Sequence, residues 1–209
     1  MSRAEPQQQR ARRGYRMGRR AEQVGDTRQR IVEAAVTLHG TVGPAAASIV
    51  SIAERAGVTR ATVYRHFPDD EALFTACSAH WRAGQQLPDP TAWVSLPDAA
   101  DRLRAGLNDL YRFYRDGQTM LFCINRDLAV VPQAIRDDLT ARDRSLRDLF
   151  ASAFPEPKRS SALLGALAHA VSFWTWHSLC IEQQLDNSIA VELMCCLALG
   201  AAEVGRTSR

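Results

Sequence analysis

The segment from Ser48 to Phe67 constrains the fold more tightly than any other part of the chain. Ser48 heads a short run that places Ile49, Ile52, Ala53 and Ala56 on one helical face, and Gly57 follows directly. Glycine just past an amphipathic helix supplies the left-handed conformation that closes it. Thr59 then opens a second short run in which Val63 and Phe67 point inward one turn apart. Ser and Thr at such starts cap helices by accepting backbone N–H bonds. Ala53 is small where two backbones must cross closely. The outer face of the second helix is then Thr59, Arg60, Ala61, Thr62, Tyr64, Arg65 and His66, polar and basic with a slim front end. That is the arrangement a helix needs to enter a DNA major groove, although a helical hairpin alone is a weak signal for it.

The remaining pattern is helical throughout. Asp26-Thr27-Arg28-Gln29 has capping-box form ahead of Ile31, Ala34, Ala35 and Leu38, so a first helix is expected from Asp26. Asp69, Asp70 and Glu71 start a fourth helix, with Leu73, Cys77 and Trp81 as its stripe. Leu87-Pro88-Asp89-Pro90 reads as a linker. Beyond it, helices are expected from Asp98 along Leu103, Leu107, Leu110 and Tyr114, over 119–128, and along Ile135, Leu139, Leu146 and Phe150. The most apolar one is expected over 158–185, and the last over 188–203. No strand alternation and no internal repeat is visible. The fold class is all-α.

Charge divides the chain. Residues 1–67 hold 12 Arg against 5 acidic residues, whereas 68–209 hold 14 basic against 18 acidic, so a net +3 conceals +7 in front and −4 behind. A basic front joined to a mildly acidic body suggests a polyanion-binding part attached to one with another task. Residues 1–25 carry seven Arg and almost no large apolar side chain, which predicts a segment disordered on its own. The sequence shows no run of 18 apolar residues, no export signal and an odd number of cysteines without CxxC spacing, so a cytoplasmic protein with reduced thiols and no membrane association is expected.

Ser48 to Ala53, then Ala56-Gly57-Val58-Thr59-Arg60-Ala61-Thr62-Val63-Tyr64-Arg65-His66-Phe67-Pro68, with Glu71-Ala72-Leu73-Phe74 after, resembles the DNA-binding domain of TetR-family transcriptional regulators. The Tyr-Arg-His-Phe-Pro run is the most specific part, and the likeness covers about 60 residues. It implies an N-terminal helix-turn-helix DNA-binding domain over 26–86, with the motif at 48–67, and a C-terminal helical ligand-binding and dimerisation domain over 87–209. By the same resemblance, Ser48 and Thr59 reach phosphate, and Arg60, Ala61 and Thr62 face the groove, with Arg60 the foremost guanine reader. Tyr64 and His66 clamp phosphate. Arg65 is a further candidate for DNA contact, with a solvated surface side chain as the alternative. The chain departs from the family in having Asp70 where lysine is frequent at the start of the fourth helix. The Arg-rich tail offers compensating charge, as basic arms in the minor groove do.

The resemblance further implies a homodimer through the last two helices, a palindromic double-stranded operator and a small-molecule effector that releases it, hence a repressor. Composition points to an apolar or aromatic effector, with Tyr111, Phe113, Tyr114, Phe122, Trp174, Trp176 and His177 as candidate lining residues. In the last helix, Ile189, Leu193, Cys196, Leu197, Gly200 and Ala201 form a stripe suited to a dimer seam. His177 and Cys180 stand three apart but make too few ligands for a metal, so no metal and no cofactor is expected. No nucleophile–base pair or phosphate loop is placed by motif, which argues against an enzyme. The competing reading is an architectural DNA binder that uses charge alone.

Overall fold

The computed structural model describes residues 5–156 and 159–204, with side chains from residue 23 onward except at 157–158. The first helix, α1 (Glu5–Thr41), is followed by α2 (Ile49–Ala56), α3 (Arg60–His66) and α4 (Asp70–Ala83). The body comprises α5 (Pro90–Val94), α6 (Ala99–Asp116), α7 (Gln118–Arg126), α8 (Gln133–Ala151), α9 (Ser161–Ala170), α10 (Phe173–His177) and α11 (Asn187–Val204). A 3₁₀ turn covers Leu128–Val130, and a π-helical turn covers Ser178–Glu182. No strand occurs among the described residues.

Helix α1 departs from expectation at its front. It is helical from Glu5 instead of starting at an Asp26 cap, and Thr27 bonds back to the Gln23 carbonyl at 2.8 Å as an interior residue does. The segment expected to be disordered over 1–25 is therefore helical over 5–25, while residues 1–4 lie outside the described part. Gln, Arg, Ala and Glu are good helix formers. Once the packed C-terminal half nucleates the helix, extending it upstream requires no burial.

Two apolar clusters follow the chain. Ile31, Ala35, Ile52, Ala53, Val63, Phe67, Leu73 and Cys77 form the core of the front part. The body core gathers Leu103, Leu107, Tyr111, Tyr114, Phe150 and Trp176 with the inward side of α9 and α11. The linker is pinned to α6, because Asp109 Oδ2 accepts both the Asp89 amide (2.8 Å) and Trp93 Nε1–H (3.2 Å). Pro90, preset for a first helical position, then opens α5.

The long apolar helix expected over 158–185 is broken into α9, α10 and the π turn; its first residue, 158, lies outside the described part. Ser172 interrupts it by capping α10, accepting the Trp174 amide at 3.2 Å. The break frees carbonyls in the core, and two buried tyrosines satisfy them. Tyr111 donates to Ala170 O at 3.0 Å, and Tyr114 donates to Val171 O at 2.6 Å. An unsatisfied carbonyl at that depth costs as much as a lost hydrogen bond.

Helix α11 is long and apolar enough to cross a membrane by length and composition, although Glu192 and Glu203 keep it from being an unbroken apolar run. In this fold one side of it packs on α6 and α9, with Ala190, Val191 and Ala198 fully buried. Glu192 on its other side takes a two-pronged bond from Arg104 of α6, at 2.6 and 3.2 Å.

Close approach at Gly106 lets α6 meet the stacked Trp93–Phe150 pair, whose ring centroids lie 5.6 Å apart. A methyl there would overlap the Phe150 ring edge and Trp93. Gly106→Ala is therefore expected to destabilise the body by roughly 1–3 kcal/mol despite its better helix propensity. Urea unfolding should show a lower midpoint; an unchanged or raised midpoint would contradict this packing.

Candidate nucleic-acid interface and the adjoining cavity

The front part builds its geometry locally. Ser48 caps α2 by accepting the Ser51 amide at 3.1 Å, and Thr59 caps α3 by accepting the Thr62 amide at 3.2 Å. Gly57 adopts φ 64° and ψ 40°, and the Val58 amide bonds across it to Ala53 O at 3.0 Å. That closure sets the turn between the helices and leaves α3 with only Val63 fully buried. Asp69 caps α4 through the Ala72 amide at 2.7 Å, which leaves Asp70 exposed in the first turn where the helix dipole favours a carboxylate.

Every residue singled out for DNA contact lies on the outer side of this hairpin. Ser48, Thr59, Arg60, Ala61, Tyr64 and Arg65 are exposed, and Thr62 and His66 are half-buried. The Ser48 and Thr59 hydroxyls are occupied in capping, so their first duty is to hold the helix ends. Arg28 of α1 sits over the buried Phe67 ring at 4.7 Å, setting a cation at the end of α3. Desolvation, with Arg65 and Arg28 nearby, lowers the His66 pKa below its ordinary value and favours the neutral ring.

The candidate ligand residues are placed differently. Tyr111, Tyr114 and Trp176 are fully buried in the body core, and burial raises both phenol pKa values. Trp176 Nε1–H donates to Asn187 Oδ1 at 3.0 Å. Phe122, Trp174 and His177 extend the same aromatic group outward: the Phe122 ring lies 5.2 Å from His177 and 5.8 Å from Trp174, and His177 lies 6.5 Å from Trp176. None of these six lines the main cavity. Tyr111, Tyr114 and Trp176 fill the core, because a wide, flat ring fills a helix junction as well as it lines a pocket, whereas Trp174 is 43% exposed.

The cavity, of about 440 Å³, lies where α1 and α4 meet α6, α7 and α8. Of the candidates only Phe113 borders it, together with residues sequence reasoning missed, including His39, Phe74, Trp81, Met120 and Arg142. Nothing in the local pattern marks them, since five helices each contribute a few side chains. Two of those helices, α1 and α4, also form the front core.

A second link joins the parts. At the end of α7, Arg126 donates to Val42 O (2.9 Å), and Asp127 accepts the Ala45 amide (3.0 Å) while paired to Arg126 at 2.7 Å. The α1–α2 loop is thereby tied to the body. The Arg126 bond and the Ala45 amide hold the Asp127 carboxyl below its ordinary pKa.

Two short capped helices on a glycine turn, with a basic outer face, define a helix-turn-helix DNA-binding domain ahead of a helical body. Residues 31–77 match the family described as bacterial regulatory proteins, tetR family. Over those residues the chain is similar to the DNA-binding part of tetR-family regulators, which supports a DNA-binding role for its front part. A search of curated proteins finds no match. Among solved structures, a TetR-like transcriptional regulator from Rhodococcus sp. RHA1 is similar at 20% identity and TM-score 0.55, covering 83% of this chain and 93% of that one. The multidrug binding protein EbrR, complexed with imidazole, is similar at 20% identity and TM-score 0.52, covering 81% and 88%. At such identities these structures share the fold.

Asp127→Asn weakens the ion pair and removes the charge from the Ala45 contact. Faster hydrogen exchange is expected over residues 42–47, with protection of the front core at Ile52 and Val63 unchanged. Because the native carboxyl pKa is lowered, the tie's contribution is present above the ordinary carboxylate pKa and is lost as pH falls through the native one. Exchange over 42–47 that does not respond to the substitution would refute the tie.

Proposed function

We propose that the chain is a homodimeric repressor that binds a palindromic operator and leaves it when a small molecule fills the cavity. The cavity's position carries this reading, because α1 and α4 both wall it and carry the reading head. An occupant that prefers one arrangement of those helices biases the spacing of the two heads. Fluorescence anisotropy on DNA flanking the gene tests it, with tight binding to an inverted repeat expected at moderate salt. Salt-sensitive binding without sequence preference would favour a charge-only binder instead.

Dimerisation through α9 and α11 is supported by their outer faces. Ile189, Leu193, Cys196 and Leu197 of α11 are exposed in a stripe, opposite the side that packs into the body. Cys195 is buried while Cys196 is exposed, so Cys196 belongs to the outer stripe. On α9 the exposed positions include Ala162, Gly165 and Ala168, small enough for close helix approach. A two-fold seam suits a palindrome, since it presents the same head to each half-site. Leu193→Glu with Leu197→Glu is expected to shift light-scattering mass from dimer to monomer and to abolish tight operator binding. A dimer that persists would place the seam elsewhere.

Within the head, Arg60 reads base and His66 holds phosphate. Arg60→Ala is expected to relax preference at one operator position by roughly ten-fold or more. A phosphate beside His66 raises its pKa on binding, so affinity should rise as pH falls from 7 towards 5.5. In His66→Gln that pH dependence should flatten, with all sequences weakened alike. Unchanged base preference in Arg60→Ala would reassign the reading residue.

A further inference from the structure

His39 is the polar group at the inner wall of the cavity whose bonding is unexplained. It is 5% exposed and lines the cavity, and its ring makes no hydrogen bond with any described residue. Its ring stacks on Phe74 with centroids 4.6 Å apart, which fixes the ring plane. Burial lowers its pKa to about 4, so the imidazole is neutral and presents one donor and one acceptor nitrogen. Among the described residues the fully buried side-chain atom without a partner is His177 Nδ1, not an atom of His39, so the His39 ring stays reachable from the cavity and open to a guest's hydrogen bond.

The charges around the same cavity leave little for an ionic guest. Arg142 reaches the lining, but its Nε and Nη2 both donate to Asp143, at 3.1 and 2.8 Å. Arg82 and Asp138 are exposed and of opposite sign. The inner wall is formed by side chains such as Leu110, Leu121 and Cys77, all buried. The Cys77 thiol faces the Val32 carbonyl at 3.9 Å, and burial raises its pKa to about 12, so it brings no charge. A carboxylate or ammonium carried to the His39 wall loses hydration, and the part-buried guanidinium of Arg142 is already paired to Asp143.

We propose that the cavity takes an uncharged, largely apolar molecule whose single hydroxyl, phenol or carbonyl group hydrogen-bonds to His39. This rests on the effector reading above and assigns the chemistry of the effector. The hydrogen bond pairs one nitrogen of the imidazole, while the apolar remainder lies against Phe74, Phe113 and Trp81. His39 lies on α1 three residues before Val42, so the polar contact is made on the helix directly ahead of the loop that Arg126 ties to the body.

Three probes of similar shape test this by equilibrium dialysis against the full chain: 4-benzylphenol, diphenylmethane and 4-benzylbenzoate. The phenol should bind about ten-fold tighter than the hydrocarbon, as one hydrogen bond allows, and the benzoate should bind weakest. His39→Phe keeps the ring stacking on Phe74, and in it phenol and hydrocarbon should bind equally while the hydrocarbon keeps its wild-type affinity. The ranking on the wild-type chain stands as a test even if the variant fails to fold. Equal binding of phenol and hydrocarbon by the wild type overturns the proposal. So does a phenol preference that survives in His39→Phe, a benzoate that binds tightest, or binding of none of the three. Operator anisotropy on the same samples separates the two readings. Phenol bound through His39 with operator affinity unchanged upholds the ligand assignment and overturns the effector role.

Discussion

Helix α1 is the member on which the rest of the structure depends, because it is packed from both parts of the chain. Its Ile31 and Ala35 are fully buried in the front core against α2 and α4, and its last turns pack against α7 of the body. A helix of this length is stiff on the scale of a domain, so the two cores cannot shift independently along it. The loop that follows is fixed from the body by Arg126 and Asp127. The orientation of the reading head is therefore a property of the whole molecule.

What could be read from the sequence was what local chemistry decides. The Ser48 and Thr59 caps, the left-handed Gly57 and the inward Val63 and Phe67 each follow from residues a few positions apart. The break at Ser172 is different. It is stable because Tyr111 and Tyr114, nearly sixty residues upstream, donate to the carbonyls it frees. No periodicity within 158–185 contains that information. The cavity was hidden for the same reason, and the dense Phe173–His177 run, which drew attention by composition, became packing. Conversely, Arg126 and Asp127 look like an ordinary solvated pair until the fold sets them against a loop about 82 positions away.

The division of charge gains meaning from the same geometry. The basic front surrounds a head whose α3 keeps only Val63 fully buried, so Arg60 and Arg65 remain at the surface. The sign reverses at Asp69, Asp70 and Glu71, where Asp69 is committed to capping α4 and Asp70 and Glu71 lie in its first turn. Those carboxylates stabilise the N-terminus of the helix that borders the cavity, and their charge repels any phosphate brought close to them. In the proposed function Asp70 is thus a compromise between a firm α4 and the grip of the head, and a longer basic α1 supplies charge from another direction.

Coupling between cavity and head needs an occupant that distinguishes two arrangements, since equal affinity for both moves nothing. A ten-fold preference corresponds to about 1.4 kcal/mol, the scale of one hydrogen bond made in one state and broken in the other. An apolar contact alone is poorly suited to this, because helices sliding by a fraction of a turn exchange one apolar surface for another. A directional bond to a ring on α1 is better suited, since its geometry fails with small displacements. His39 is stacked on Phe74 of α4, so the pair that fixes the ring belongs to the two helices shared by head and cavity. A single polar contact there can discriminate between arrangements that the surrounding apolar wall would tolerate equally.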